Sequence, residues 1–178
     1  MKIDLEEMDA ERWPAPEGWT IVGRVGHLAL AYDPERQAYL LGDGEPVPLD
    51  REAVNVALEP AIDRAASKLW PGGWTYAFEA VFGVKRRNLA AERLARQGLP
   101  PSVLLVLAKA ASEPDAETLG ALILAVARSA DAAPGIDDAE RHEIALHAAK
   151  RASDIVRAAR RGKPAWPRQL KVWLGDPD

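Results

Sequence analysis

The chain has 178 residues, 48% of them hydrophobic and 28% charged, and a formal net charge of −4. That length suits one domain or two small ones, with enough apolar residues for a real core. The lack of cysteine excludes disulfides and thiolate metal sites.

No apolar run reaches the roughly eighteen residues that a membrane span needs. The opening MKIDLEEMDAERW is acidic and has no apolar signal core, so a cytoplasmic protein is expected. Charge is segregated along the chain. Residues 1–50 carry 4 basic and 11 acidic side chains, 51–100 carry 8 and 5, 101–150 carry 4 and 8, and 151–178 carry 7 and 3. The two positive blocks allow an acidic protein a basic face.

Residues 1–18 end in WPAPEG, whose prolines forbid a continuing helix, so an extended or poorly ordered arm is expected. Residues 19–48 change character. TIV, HLALAY and QAYLL are β-rich, HLALAY alternates apolar and small residues, and Asp33-Pro34-Glu35-Arg36 reads as a turn. A three-stranded antiparallel meander is the simplest reading. Its apolar side, with Leu28, Leu30 and Leu40, needs cover from the helices or from a partner, because so small a sheet cannot bury itself.

Asp50 is placed to cap a helix whose stripe is Val54, Leu58, Ile62 and Leu69. Pro60 lacks the N–H that the helical ladder needs, and a split there is expected, with a new helix running to Trp70-Pro71-Gly72-Gly73. Beyond Pro100-Pro101, Val103–Leu107 is apolar on every side and belongs in the centre of a domain. Ser112 with Asp115 resembles a capping box, ahead of a helix expected to bury Leu119, Leu122, Ile123 and Val126. Asp137 with Glu140 starts another helix, expected to reach about Arg161, with the alanine-rich stripe Ile144, Ala148, Ala152, Ile155 and Ala159. Small residues in that stripe allow close approach of a helix from this chain or from a second copy. The tail from 163 to 178 carries Trp166 and Trp173, expected to cover the protein's own core, with docking on a partner, another subunit or nucleic acid as the alternative.

The most informative stretch is WTYAFEAVFGVKRRNLAAERLARQGLPPSV, Trp74 to Val103. Phe78, Phe82 and Leu89 are apolar at helical distances, and Gly83-Val84 interrupts them. Glycine at that place tolerates the positive φ that ends a helix. A second helix over about 86–97 is expected, pinned by Val84 and Leu89 and presenting Lys85, Arg86, Arg87, Asn88 and Ala91 outward near its N-terminus. In helix-turn-helix proteins that end enters the major groove.

On these residues the stretch resembles the short helix-turn-helix domains of bacterial and phage regulators. The correspondence runs without gaps through Trp74, Phe78, Phe82, Gly83-Val84, Arg87, Asn88, Leu89, Leu99-Pro100 and Val103. Glu79, Asn88 and Glu92 depart from the pattern, which has alanine, threonine and a buried tryptophan there. The resemblance implies binding to double-stranded DNA, with Arg86, Arg87 and Asn88 reading bases and Lys85, Arg93 and Arg96 contacting phosphates. It also implies a homodimer or higher homo-oligomer.

No catalytic motif stands out in the sequence. His142 and His147 are five positions apart and fall on different helix faces, unlike the pair in HExxH. There is no GxSxG, Walker loop or GxGxxG, and Gly42-Asp43-Gly44 reads as a turn. Neither an enzyme nor a cofactor is expected.

The reading is therefore an α+β, mostly α protein. A small antiparallel β-meander within residues 1–49 precedes a helical domain over 50–162, with a helix-turn-helix at about 74–97, and a tail over 163–178. The expected function is sequence-specific DNA binding as a transcriptional regulator. The rivals are an oligomeric phage packaging adaptor resembling small terminase subunits, and a protein-binding inhibitor that uses the fold without DNA.

Overall fold

Period-two alternation builds a four-stranded antiparallel sheet: β1 Thr20–Val25, β2 Leu28–Tyr32, β3 Ala38–Leu41 and β4 Val47–Pro48, in that spatial order. The computed structural model describes residues 1–9, 11–132 and 135–160. Three of the strands are the expected meander. The fourth is two residues long and holds a proline, too little for a periodic signal. Leu30 pairs with Leu40 across β2 and β3, and Leu30 is fully buried.

Both faces of the sheet are covered. Val22, Leu30, Tyr32 and Ala38 share one core with the helices. Ala29, Ala31 and Leu41 form a second cluster on the opposite side, packed by Met8, Trp13, Ala15, Trp19 and Ile21. The N-terminal arm forms no helix among its described residues; it turns where Trp13 N–H donates to Asp9 O and Trp19 N–H to Pro16 O, and it packs on the far face. Its first residues go further, for Ile3 and Leu5 are buried in the main core.

Asp4 pairs with the edge of β1: its N–H donates to Arg24 O at 3.0 Å, and Arg24 N–H donates to Asp4 O at 2.9 Å. Gly23 makes this approach possible, since a Cβ there would stand 2.2 Å from Asp4 O. The β1–β2 register slips between Ile21 and Gly23, which leaves Val22 as a bulge aimed into the core.

The helices are α1 Arg51–Leu69, α2 Trp74–Phe82, α3 Ala91–Gln97, α4 Pro101–Ser112, α5 Ala116–Ala132 and α6 Asp138–Ala159. Asp50 caps α1 as expected, accepting from Ala53 N–H at 2.8 Å. The split at Pro60 does not occur, and α1 runs through it. Pro60 lies on the exposed face. The carbonyl that loses its donor belongs to Val56, which is 56% exposed and open to water. The opposite face holds the helix continuous by burial of Val54, Leu58, Ala61, Ile62, Ala65, Ala66 and Leu69.

On α4, Leu104 and Leu107 are fully buried and Val103 and Leu105 pack on the core, but Val106 is exposed. Ser112 does not open α5. Its hydroxyl donates back to Ala108 O and accepts from Glu7 N–H, so it closes α4 and holds the arm. On α5, Leu119 and Ile123 pack on the core, whereas Leu122 and Val126, expected on the same face, are exposed. Gly120 takes the central place instead. A Cβ on Gly120 would stand 2.2 Å from Leu69 O, and Trp70 Nε1 donates to Gly120 O at 2.8 Å. Close crossing of α5 over the end of α1 therefore selects the small residue and turns the larger ones aside.

Residues 1–132 form one unit, and a second begins at residue 133, with α6 as its described part. Glu140 N–H donates to Asp137 Oδ1 at 2.9 Å, the expected cap of α6. The tail with Trp166 and Trp173 lies outside the described residues.

Tyr32 offers a test of this packing. Burial pushes its hydroxyl up to about 12 against an opposing pull from Arg51. The unfolded phenol ionises near 10 and the folded one later, so the native state holds the extra proton between those values. Stability is then fully present below pH 10 and falls as pH rises towards 12, by a total on the order of 2–3 kcal/mol. Urea titrations at pH 9 and pH 11 are expected to show about half of this loss, roughly 1–1.5 kcal/mol, with Tyr32→Phe losing less by most of that amount. Equal losses in both proteins would refute the burial argument.

Candidate nucleic-acid interface

The helix break at Gly83 is as expected: the residue takes φ 66° and its N–H donates to Glu79 O at 3.0 Å, closing α2. The segment after the break differs from a helix-turn-helix. Arg86–Leu89 is a single 3-10 turn, with Asn88 N–H donating to Lys85 O at 2.8 Å. Ala90 is then extended, with ψ 136°, and α3 begins only at Ala91. The expected helix over 86–97 is thus two elements, and its regular part has seven residues. Lys85, Arg86, Arg87 and Asn88 precede the helix instead of forming its first turn. No α-helix dipole acts at Arg86–Asn88, because α3 starts only at Ala91.

Packing explains the change. Leu89 and Leu94 are both buried, and Leu99 closes the segment beyond Gly98. One unbroken helix places residues five apart on different faces. The extended residue at Ala90 resets the phase, so that Leu89 and Leu94 both reach the core. α3 packs chiefly on α1, while α2 meets the 3-10 turn. Leu89 and the partly buried Val84 do pin the segment, as expected, but onto a core built mainly around α1.

The basic residues still share an exposed surface. Between Lys85 and Gln97 there are five basic side chains and one acidic one. Lys85, Arg86, Arg87, Arg93 and Arg96 are all exposed, as is Ala91. Arg86 stacks over the exposed Tyr76 ring, its guanidinium carbon 4.0 Å from the centroid. Asn88 Oδ1 accepts from Arg93 Nη1 at 3.2 Å, and Arg96 Nε donates to Glu92 O at 3.4 Å. Arg87 has no ion pair or hydrogen bond from its side chain among the described residues. Glu79 and Glu92 are exposed and pair with neither Arg86 nor Arg87. Exposure also removes the packing conflict that these two acids create in the sequence pattern.

α2 is held firmly behind this surface. Trp74 Nε1 donates to Asp63 Oδ1 at 2.8 Å, and Trp74, Phe78 and Phe82 stack edge-on with centroids 5.1 and 4.8 Å apart. Tyr76, which sequence reasoning passed over, is the one site residue added. Its signal was an aromatic among core-facing neighbours that the period of α2 turns outward. His142 and His147 are exposed on α6, and no cluster of metal-ligating side chains occurs among the described residues.

Comparison with protein-family models, with curated proteins and with solved structures gave no match for this chain.

Gly83 provides a clean probe of the turn. A Cβ there meets nothing within 4 Å, so Gly83→Ala tests backbone strain alone. A left-handed non-glycine residue costs roughly 1–2 kcal/mol, and that loss is expected in urea denaturation. No loss would mean that the turn does not hold φ 66°.

Proposed function

We propose that this chain binds double-stranded DNA through the surface formed by the 3-10 turn and α3, acting as a transcriptional regulator of bacterial or phage type. The observation that supports the reading is the exposed group Lys85, Arg86, Arg87, Arg93 and Arg96, unneutralised by Glu79 or Glu92. Exposed guanidiniums that form no ion pair are suited to phosphates and to guanine edges. In this reading Lys85, Arg93 and Arg96 sit on phosphates. Arg86, oriented by Tyr76, and the free Arg87 approach bases, and Asn88 positions Arg93 as well as facing the groove. Ala91 leaves room for the backbone to come close.

Titration of the Arg86→Ala/Arg87→Ala variant against duplex DNA tests the assignment. Replacing Arg87 alone is expected to cost about 1–3 kcal/mol on the preferred sequence. Replacing Arg96 is expected to weaken all sequences alike and flatten the salt slope by about one unit. Unchanged affinity in the double variant rejects the surface.

Assembly is the second part of the proposal. On α6, Ile144 is 42% and Ile155 68% exposed, and Ala148 and Ala152 are exposed beside them. Such a face suits a second copy, giving a homodimer that presents two basic surfaces. Light scattering is expected to report a dimer. A ring of many copies favours the packaging-adaptor reading, and a strict monomer removes the two-fold geometry.

A further inference from the structure

A second concave surface shares Arg96 with the proposed DNA surface but is not lined by Arg86 or Arg87. The first turn of α1, Arg36 and the α3–α4 junction line an open cleft of about 710 Å³. That volume falls within the roughly 300–1,000 Å³ usual for small-molecule sites. Asn55 stands in its wall, 6% exposed, and its Nδ2 has no hydrogen-bond partner among the described residues. A smaller recess of about 20 Å³ shares Asn55, Arg36 and Arg51 with the cleft and adds Tyr32. The Tyr32 hydroxyl is also buried and also has no partner among the described residues. Buried polar groups are nearly always paired, so two orphans in one recess are out of the ordinary. Both are donors: an amide N–H₂, and a phenol kept protonated by burial.

The mouth adds positive charge. Arg36, Arg51 and Arg96 line it, against Asp50 and Glu52. The Asp50 carboxylate is already engaged as the cap of α1. Arg36 and Arg51 make no ion pair or side-chain hydrogen bond among the described residues. Arg36 is held at φ 67°, sparsely populated for a residue with a Cβ, and such positions gather at functional sites. Gly98 keeps the wall open: a Cβ there would stand 2.6 Å from Asn55 Oδ1.

We propose that this cleft binds a small organic anion, whose carboxylate or phosphate group is held by Arg36, Arg51 and the side-chain amide of Asn55. A duplex is too wide to bring its phosphates to Asn55 and Tyr32. The proposal does not depend on DNA binding, since Arg36 and Arg51 are outside the surface assigned to DNA.

The test uses the full chain without DNA and three probes: inorganic phosphate, succinate and adenosine monophosphate. Calorimetric titration is expected to show saturable binding of at least one, and comparison of the three separates phosphate from carboxylate recognition. With that probe, the Asn55 side-chain amide signals are expected to move in a nitrogen–proton NMR spectrum. Arg51→Gln, at an exposed position, is expected to weaken binding about tenfold. Asn55→Asp keeps the shape, reverses the charge preference and is expected to abolish binding. Should Asn55→Asp not fold, the amide signals and Arg51→Gln decide. No saturable binding by any probe, binding that leaves the Asn55 amide signals still, or unchanged affinity in Arg51→Gln each overturns the proposal.

Discussion

Everything in the first unit leans on the buried face of α1. Leu58, Ile62 and Leu69 are almost completely enclosed, and each contributes about 1.5–3 kcal/mol by leaving water. The same face receives α3, α4 and α5, and shares its core with the sheet through Val22 and Leu30. That load explains why Pro60 does not divide the helix. Loss of one backbone bond on the wet side is small against a whole apolar face that must stay in register. It also explains the glycine at 120, where the end of α1 and α5 meet at backbone distance.

Much of the architecture was legible because it obeys local rules. The alternation of HLALAY, the cap at Asp50, the turn at Gly83 and the cap at Asp137 each depend on a few neighbouring residues, and each is where those residues put it. The misreadings share a different cause. Leu122 and Val126 have the right spacing for burial, yet the close approach at Gly120 rotates α5 so that they face outward. The arm looked free because its composition is polar and proline-rich. Only the fold shows that Ile3 and Leu5 fill the core while Trp13 and Trp19 cover the far side of the sheet.

The sites divide in the same way. The basic run from Lys85 to Arg96 is contiguous, so it is visible as a cluster in sequence even though its helix is shorter than the pattern implies. The cleft is not visible at all. Tyr32, Arg36, Arg51, Asn55 and Gly98 come from a strand, a turn, a helix and a cap, and none of them belongs to a motif. Asn55 even falls next to Val54 in the apolar stripe, where a polar residue reads as an ordinary interruption.

The shortness of α3 constrains what its surface can do. Seven residues without a side-chain cap are far below the length at which an isolated helix is stable, so tertiary contacts hold it. Those contacts are Leu94 within it and Leu89 and Leu99 on either side. A helix of this length has little dipole to offer an anion, and its first turn carries Glu92 in place of a basic residue. Under the DNA-binding proposal, attraction of nucleic acid to this surface would therefore rest on the separate charges of Lys85, Arg86, Arg87, Arg93 and Arg96. Charges of that kind act through counterion release, so salt weakens them steeply. Within this group Arg86 is fixed by a ring and Asn88 and Arg93 brace one another, so under the same proposal base reading would fall to these few groups and the rest of the surface would hold the phosphate backbone.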